Sequence, residues 1–152
     1  MGSLEKVKEF LRESGAVYEI REFDSSTRNS ALAAAVLGCT VGEIAKSIVF
    51  QGKGIHVVVL SGDRRVDAVK LSSVAGEIVR VASPDEVREG TGYPVGGVPP
   101  FPHREGVTVF VDLSLMRFRW VWAAAGVTHA VFRISPADLT KLVGGSPHDL
   151  SS

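Results

Sequence analysis

A single cysteine, Cys39, is the only thiol in this chain, which excludes an internal disulfide and any cysteine-based zinc site. The histidines (His56, His103, His129 and His148) show no metal-ligand spacing, so neither a metal nor a cofactor is expected. No Gly-x-Ser-x-Gly elbow occurs, and Cys39 has no histidine near it in sequence. Support for serine or cysteine nucleophiles is therefore absent. Net charge is also missing, with 17 basic side chains against 17 acidic ones, so no field of one sign draws the protein onto nucleic acid. An RNA partner would have to be met by a local patch. No run approaches the ~20 apolar residues that span a bilayer. The N-terminus turns charged at Glu5-Lys6, without the core of a signal peptide. The expectation is a protein with no membrane partner and a cytoplasmic location. Asparagine and glutamine occur once each, at Asn29 and Gln51, a scarcity of thermolabile side chains.

What is present suits a single domain over residues 1–152, with 45% apolar and 22% charged residues and length enough to bury a core. Leu4, Val7, Phe10 and Leu11 make a helical stripe, with Gly15 where a C-terminal cap belongs. Residues 16–23 read as a strand, and 31–37 as an alanine-rich helix ended by Gly38. Thr40 and Glu43 form a capping box, which predicts a short helix running into Lys46. Segments 47–50 and 55–60 read as a hairpin across Gly52-Lys53-Gly54. A helix over 67–75 closes at Gly76, and a short strand follows at 78–81. Ser83-Pro84-Asp85-Glu86 combines a cap, a first-turn proline and a capping-box acid, which is a complete helix start. Segment 90–106 is dominated by glycine and proline and reads as a loop. Strands are expected at 107–111, 119–123 and 130–134. Ser135-Pro136 opens a last helix, and from Gly144 onward the chain reads as a frayed tail. Helices and strands alternate irregularly, which places the chain in the α+β class with a mixed sheet.

Chemistry concentrates in few places. Loop Thr91-Gly92-Tyr93-Pro94-Val95-Gly96-Gly97-Val98-Pro99-Pro100-Phe101 is long for a structureless connection, and such loops tend to be functional. Glycine lets the backbone approach a ligand, while proline fixes its path, so main-chain groups could grip an ammonium or an ester carbonyl. The competing reading is a rigid surface turn. Lys46 precedes a buried-looking strand, where its cation can neutralise a phosphate or an oxyanion; alternatively it caps a helix in solvent. A P-loop is excluded, because Gly42 stands four residues before this lysine. Asp112 closes Val-Phe-Val-Asp and could orient a water, or else cap residues 113–116. Gly62-Asp63-Arg64-Arg65 is a basic turn, either solvated or facing RNA phosphate.

Taken in order, these segments resemble the YbaK and prolyl-tRNA-synthetase-associated domain family over residues 28–143. The resemblance is carried by Ala33-Ala34-Ala35-x-Leu37-Gly38, Ile44-Ala45-Lys46-Ser47-Ile48-Val49-Phe50 and Gly62-Asp63-Arg64-Arg65-Val66-Asp67. It continues through Gly96-x-x-x-Pro100-Phe101, Val111-Asp112-x-Ser114-Leu115 and Val121-Trp122-Ala123-Ala124-Ala125-Gly126. It implies a curved mixed β-sheet, partly barrel-like and surrounded by helices. The activity implied is deacylation of mischarged tRNA, mostly tRNA-Pro, in trans to the synthetase. The family lysine falls on Lys46, and the backbone of 96–100 is its usual substrate clamp. Pro102 replaces a usual glycine, which implies a stiffer rim, and His129 stands where many relatives have glycine. The alanine-clearing branch carries His-Pro-Leu where this chain has Ala124-Ala125-Gly126. The cysteine-clearing branch carries cysteine and serine at Val98-Pro99. Neither specificity is implied.

The resulting expectation is hydrolysis of an aminoacyl ester at a tRNA 3′ end, with Lys46, Gly96, Gly97 and Asp112 catalytic. Ser47, Tyr93, Val98, Pro99, Pro100 and Phe101 are expected to bind substrate, the last four as a rigid apolar wall that takes small side chains such as alanine, cysteine or serine and excludes proline. The rival readings are a non-catalytic module binding a tRNA end or the prolyl-tRNA synthetase, and a nucleotide or small-molecule domain with a closed pocket. The oligomeric state is left open.

Overall fold

The computed structural model describes residues 1–27 and 29–152. Glycine marks the helix ends: α1 (Ser3–Ser14), α2 (Ser30–Leu37) and α3 (Ala68–Ala75) stop at Gly15, Gly38 and Gly76 as foreseen, and α4 (Pro84–Thr91) runs past the expected start of the loop at 90 to stop at Gly92. All four adopt the left-handed conformation that side-chain-bearing residues avoid. Starts are equally explicit. Asn29 accepts from Leu32 N–H, Asp67 from Val69 and Lys70 N–H, and Ser83 with Glu86 closes a capping box. A last helix, α5 (Pro136–Val143), begins at Ser135.

The strands are β1 (Glu19–Glu22), β2 (Ile44–Gln51), β3 (Ile55–Ser61), β4 (Arg80–Val81), β5 (Val107–Val111), β6 (Val121–Ala124) and β7 (Ala130–Ile134). They form one mixed sheet in the order β1-β7-β6-β2-β3-β5, with β4 also beside β2. The pairs β2–β6 and β3–β5 are parallel and the others antiparallel. The sheet stays open between its edges β1 and β5 and does not close into a barrel. No helix among the described residues is long and apolar enough to cross a membrane.

Side-chain alternation along β2 sorts the interior. Ala45 and Val49 face the main core, which α1 and α5 cover with Val7, Leu11 and Leu139 around a fully buried Phe132. On the opposite face, Ile44 joins Trp122, Val131 and the alanines of α2, while Phe50 joins Leu71 of α3 with Val58 and Leu60. Lys46 lies on that opposite face, between the two smaller clusters.

Two expectations are corrected here. The helix foreseen ahead of Lys46 is only a 3-10 turn, Val41–Glu43, so Lys46 belongs to a strand that begins at Ile44. The capping box is real, but β2 pairing takes over after one turn. The tail after Gly144 is not frayed: Leu150 is fully buried, its N–H donates to Asp112 Oδ1 at 2.8 Å, and His148 and Ser151 bridge to Asp112 and Val66. One apolar side chain and one buried carboxylate dock a segment that is otherwise polar.

Candidate active site

Pairing along β2 is interrupted at one place. β6 accompanies it only as far as Ala45, opposite Ala123, and β4 takes up the same edge only at Phe50, opposite Val81. Gly62 N–H bonds Ile44 C=O and Ala82 N–H bonds Val49 C=O, so even-numbered residues of β2 turn their main chain to β3 and odd-numbered ones to the interrupted edge. The N–H and C=O of Ser47 therefore face no strand among the described residues. At this break lies a cleft of about 580 Å³, bordered by Lys46, Ser47 and Ile48, by Val95, Gly96 and Val98 of the loop, by Asn29 and Ser30 at the start of α2, and by Gly62, Trp122 and Val131. Asn29, Val41, Val95 and Gly96 on its border are exposed, which makes it an open groove rather than a closed pocket.

Lys46 is half-buried, and its Nζ donates to Gly62 C=O at 3.3 Å. An ammonium carries three protons, so two remain for a ligand. Burial pushes this amine below the ordinary lysine range; Asp63 opposes the shift and Arg65 adds to it. Asp63 is occupied by Arg117, whose Nη2 donates to Oδ1 at 2.8 Å, and that hydrogen bond holds its carboxyl below the usual range. The lysine thus keeps a cation aimed at the cleft with no carboxylate of its own. Behind it, Ser61 Oγ donates to Gly42 C=O and accepts from Arg117 Nη2, which fixes the turn that carries Gly62. Gly62 must be glycine, because a Cβ there would collide with Val41 O and Ser30.

The loop over 92–106 is braced from behind. Tyr93 OH donates to Pro102 C=O at 2.7 Å, and His103 Nε2 donates to Pro99 C=O at 2.7 Å, with the two rings edge-on at 5.4 Å. Burial lowers the proton affinity of His103, which suits this neutral, Nε2-protonated role. Gly97 N–H closes a turn on Pro94 C=O, and that turn pushes Gly96, at φ 83°, to the cleft border. Gly97 itself is buried against Val127, whose main chain would lie 3.0 Å from any added Cβ.

Of the expected site residues, Lys46, Ser47, Gly96 and Val98 meet at the cleft. Gly97 stands one layer behind. Tyr93, Pro99 and Pro100 are buried and do not border the cleft. Phe101 belongs to the core, stacked on Phe10 at 4.6 Å and 5.5 Å from Phe132, because burial of so large an apolar ring outweighs lining a groove. Asp112 is fully buried, with Oδ1 taken by Leu150 N–H and Oδ2 by Ser114 N–H at 3.1 Å; it caps and tethers, and it is removed from the role of base. The apolar wall gives way to a mixed lining, since Thr27, Asn29, Ser30 and Ser47 contribute polar atoms. Asn29 and Ser30 carried a legible helix-start signal; Trp122, on a strand, carried nothing to separate it from core.

The aminoacyl-tRNA editing domain family matches residues 24–142. The chain belongs to this family. It is 33% identical over 141 residues to the protein YwhH of Bacillus subtilis, covering 91% of this chain and 90% of that protein. It is 28% identical over 139 residues to the multifunctional Ser/Thr-tRNA deacylase ProXp-y of Escherichia coli K12, covering 87% and 83%. A crystal structure of a proposed trans-editing enzyme for prolyl tRNA synthetase superposes with a TM-score of 0.89 at 38% identity, over 100% of this chain and 98% of that one. Aminoacyl-tRNA editing is therefore the family setting in which the cleft is to be read.

Proposed function

We propose that this editing-domain chain is a trans-acting, cytoplasmic deacylase that hydrolyses the ester joining a small wrong amino acid, such as alanine, cysteine or serine, to the 3′ end of tRNA-Pro. The observation that carries the reading is the Lys46 ammonium, with two protons free, beside a bare main-chain edge in an open groove. An aminoacyl ester is already activated, so positioning and charge stabilisation suffice. Water adds to the carbonyl carbon, the tetrahedral oxyanion collapses, and the C–O bond to the ribose breaks as the leaving oxygen takes up a proton. Lys46 compensates the charge of the oxyanion or of the neighbouring phosphate. Ser47 N–H and the main chain at Gly96 hold the aminoacyl end. The cleft border contains no carboxylate or imidazole among the described residues, so the proton leaving water is carried by the substrate's own vicinal ribose hydroxyl. At about 580 Å³ the groove has room for the terminal adenosine together with its amino acid.

Single-turnover deacylation of tRNA-Pro charged in turn with alanine, cysteine, serine, threonine and proline tests this. Release of the small amino acids, with prolyl-tRNA left intact, is the expected result. Tight binding of all five without release would make the protein a binding module instead.

A further inference from the structure

The face of the sheet that leads away from the cleft carries a second set of unspent charges. Trp122 borders the cleft, and its neighbour across the strands is Arg133 of β7, which in turn faces Glu19 of β1. Trp120 precedes Trp122 by two residues, so it shares this face, as does Arg21 on β1. The guanidinium of Arg133 lies 4.2 Å from the Trp120 ring centre, Arg119 lies 5.9 Å from the same ring, and Arg21 lies 5.1 Å from Trp122. Rings so placed hold the guanidinium groups in position without consuming their N–H donors. None of the three arginines hydrogen-bonds a protein acceptor among the described residues, and Arg133 Nε is buried without a partner. Glu19 is the one carboxylate within ion-pair range, 3.5 Å from Arg21 Nε and 3.9 Å from Arg133 Nε, which leaves an excess of positive charge. Arg80 and Arg117, by contrast, are each spent on a carboxylate.

We propose that Arg21, Arg119 and Arg133, held by Trp120 and Trp122, form a phosphate track for the RNA strand that leads to the 3′ end in the cleft. This rests on the deacylase reading for what occupies the cleft. Planar guanidinium groups with free paired donors match phosphate oxygens, and guanidinium groups interleaved with aromatic rings suit a single strand better than a protein surface. The track also explains how a chain of zero net charge meets a polyanion: three arginines with a single carboxylate among them stand together on one face beside the groove.

The test pairs Arg119→Gln with Arg133→Gln in the full chain and measures binding to uncharged tRNA across salt concentrations. Hydrolysis of aminoacyl-tRNA is compared with that of aminoacyl-adenosine, which has no phosphate. Two lost contacts should weaken tRNA binding about tenfold near 0.1 M salt and make the log–log salt slope shallower by about 1.4. Hydrolysis of aminoacyl-adenosine should be unchanged. An unaltered salt slope overturns the track, as does an equal loss on aminoacyl-adenosine, which would mean a distorted cleft. Loss of binding to prolyl-tRNA synthetase with tRNA binding intact also overturns it. If wild type hydrolyses neither substrate, the deacylase reading fails alone, and binding to uncharged tRNA still decides the track.

Discussion

Lys46 and Glu77 both lie against the β2–β3 hairpin, and the fold treats their charges in opposite ways. Glu77 accepts from His56 Nε2 at 2.7 Å and from Lys53 N–H and Gly54 N–H at 2.6 and 3.3 Å, which stitches the hairpin tip to the segment after α3. The hydrogen bond from His56, then those from the two amides, hold its carboxyl down at about 2. Among the described residues Lys46 has one carbonyl and no ion pair, and burial lowers its proton affinity instead of raising it. A satisfied charge stabilises the fold around it, whereas an unsatisfied one is held at some cost and is available to a ligand. On the proposed function, the contrast gives structure to one end of the hairpin and chemistry to the other.

The strongest way to break that contrast is Lys46→Met, which keeps the aliphatic stem and removes the cation. Deacylation should fall ~10²-fold or more, the usual loss for one electrostatic anchor at such a site, while thermal stability holds. A mutant that unfolds earlier and keeps its turnover would place Lys46 with Glu77, as a structural group. The pH profile sharpens the same point. The amine is active when protonated, and its proton affinity is depressed, so activity should fall as pH rises, starting below the ordinary lysine range. The alkaline limb, corrected for spontaneous ester hydrolysis, should be absent from Lys46→Arg, whose guanidinium stays charged.

Next in size is Ser47→Ala. Its Oγ is buried without a hydrogen-bond partner among the described residues, on the face of β2 that carries Ala45 and Val49, and the substitution asks whether a substrate hydroxyl reaches it from the cleft that Ser47 borders. Sites that hydrogen-bond a substrate hydroxyl discriminate far better than apolar walls. The ratio of seryl- to alanyl-tRNA hydrolysis should drop about tenfold in the mutant. An unchanged ratio would leave Ser47 with only its main chain in the site.

What the sequence disclosed, and what it hid, follows the same division between local and long-range causes. Gly15, Gly38 and Gly76 were readable as helix ends because a left-handed cap is set by its own residue. The turn at Gly52-Lys53-Gly54 was readable for a similar reason. The break in β2 pairing was hidden, since it depends on where β6 and β4, more than 30 residues away in sequence, begin and end beside it. Phe101 and Asp112 looked like site residues because they stand in or beside chemically suggestive segments. Only Phe10 and Leu150, at opposite ends of the chain, reveal that both are structural. Lys46 and the loop that carries Gly96 were candidates from their own chemistry, each with a rival structural reading that the resemblance outweighed, whereas the cleft they share is a product of the fold.

The smallest effect should come from Glu77→Gln, and it tests the structural half of the comparison. The two N–H groups use separate carboxylate oxygens, so the amide keeps an acceptor for only one of them, turns its NH2 toward the other, and removes the anion that His56 faces. Thermal unfolding should shift down by a few degrees, with deacylation per folded molecule unchanged, because the hairpin tip lies at the end of β2 away from Lys46. The sign of the pH dependence is fixed by the depressed carboxyl: its contribution is fully present above the unfolded value of 4.5 and fades as pH falls through about 2. The stability gap between wild type and Glu77→Gln, followed by denaturant melts from neutral pH downward, should therefore be constant above 4.5 and narrow steadily below it. A gap that persists at the acid end would mean that shape, not charge, holds the tip together. A mutant that loses activity while keeping its stability would put Glu77 on the functional side of the hairpin and dissolve the contrast with Lys46.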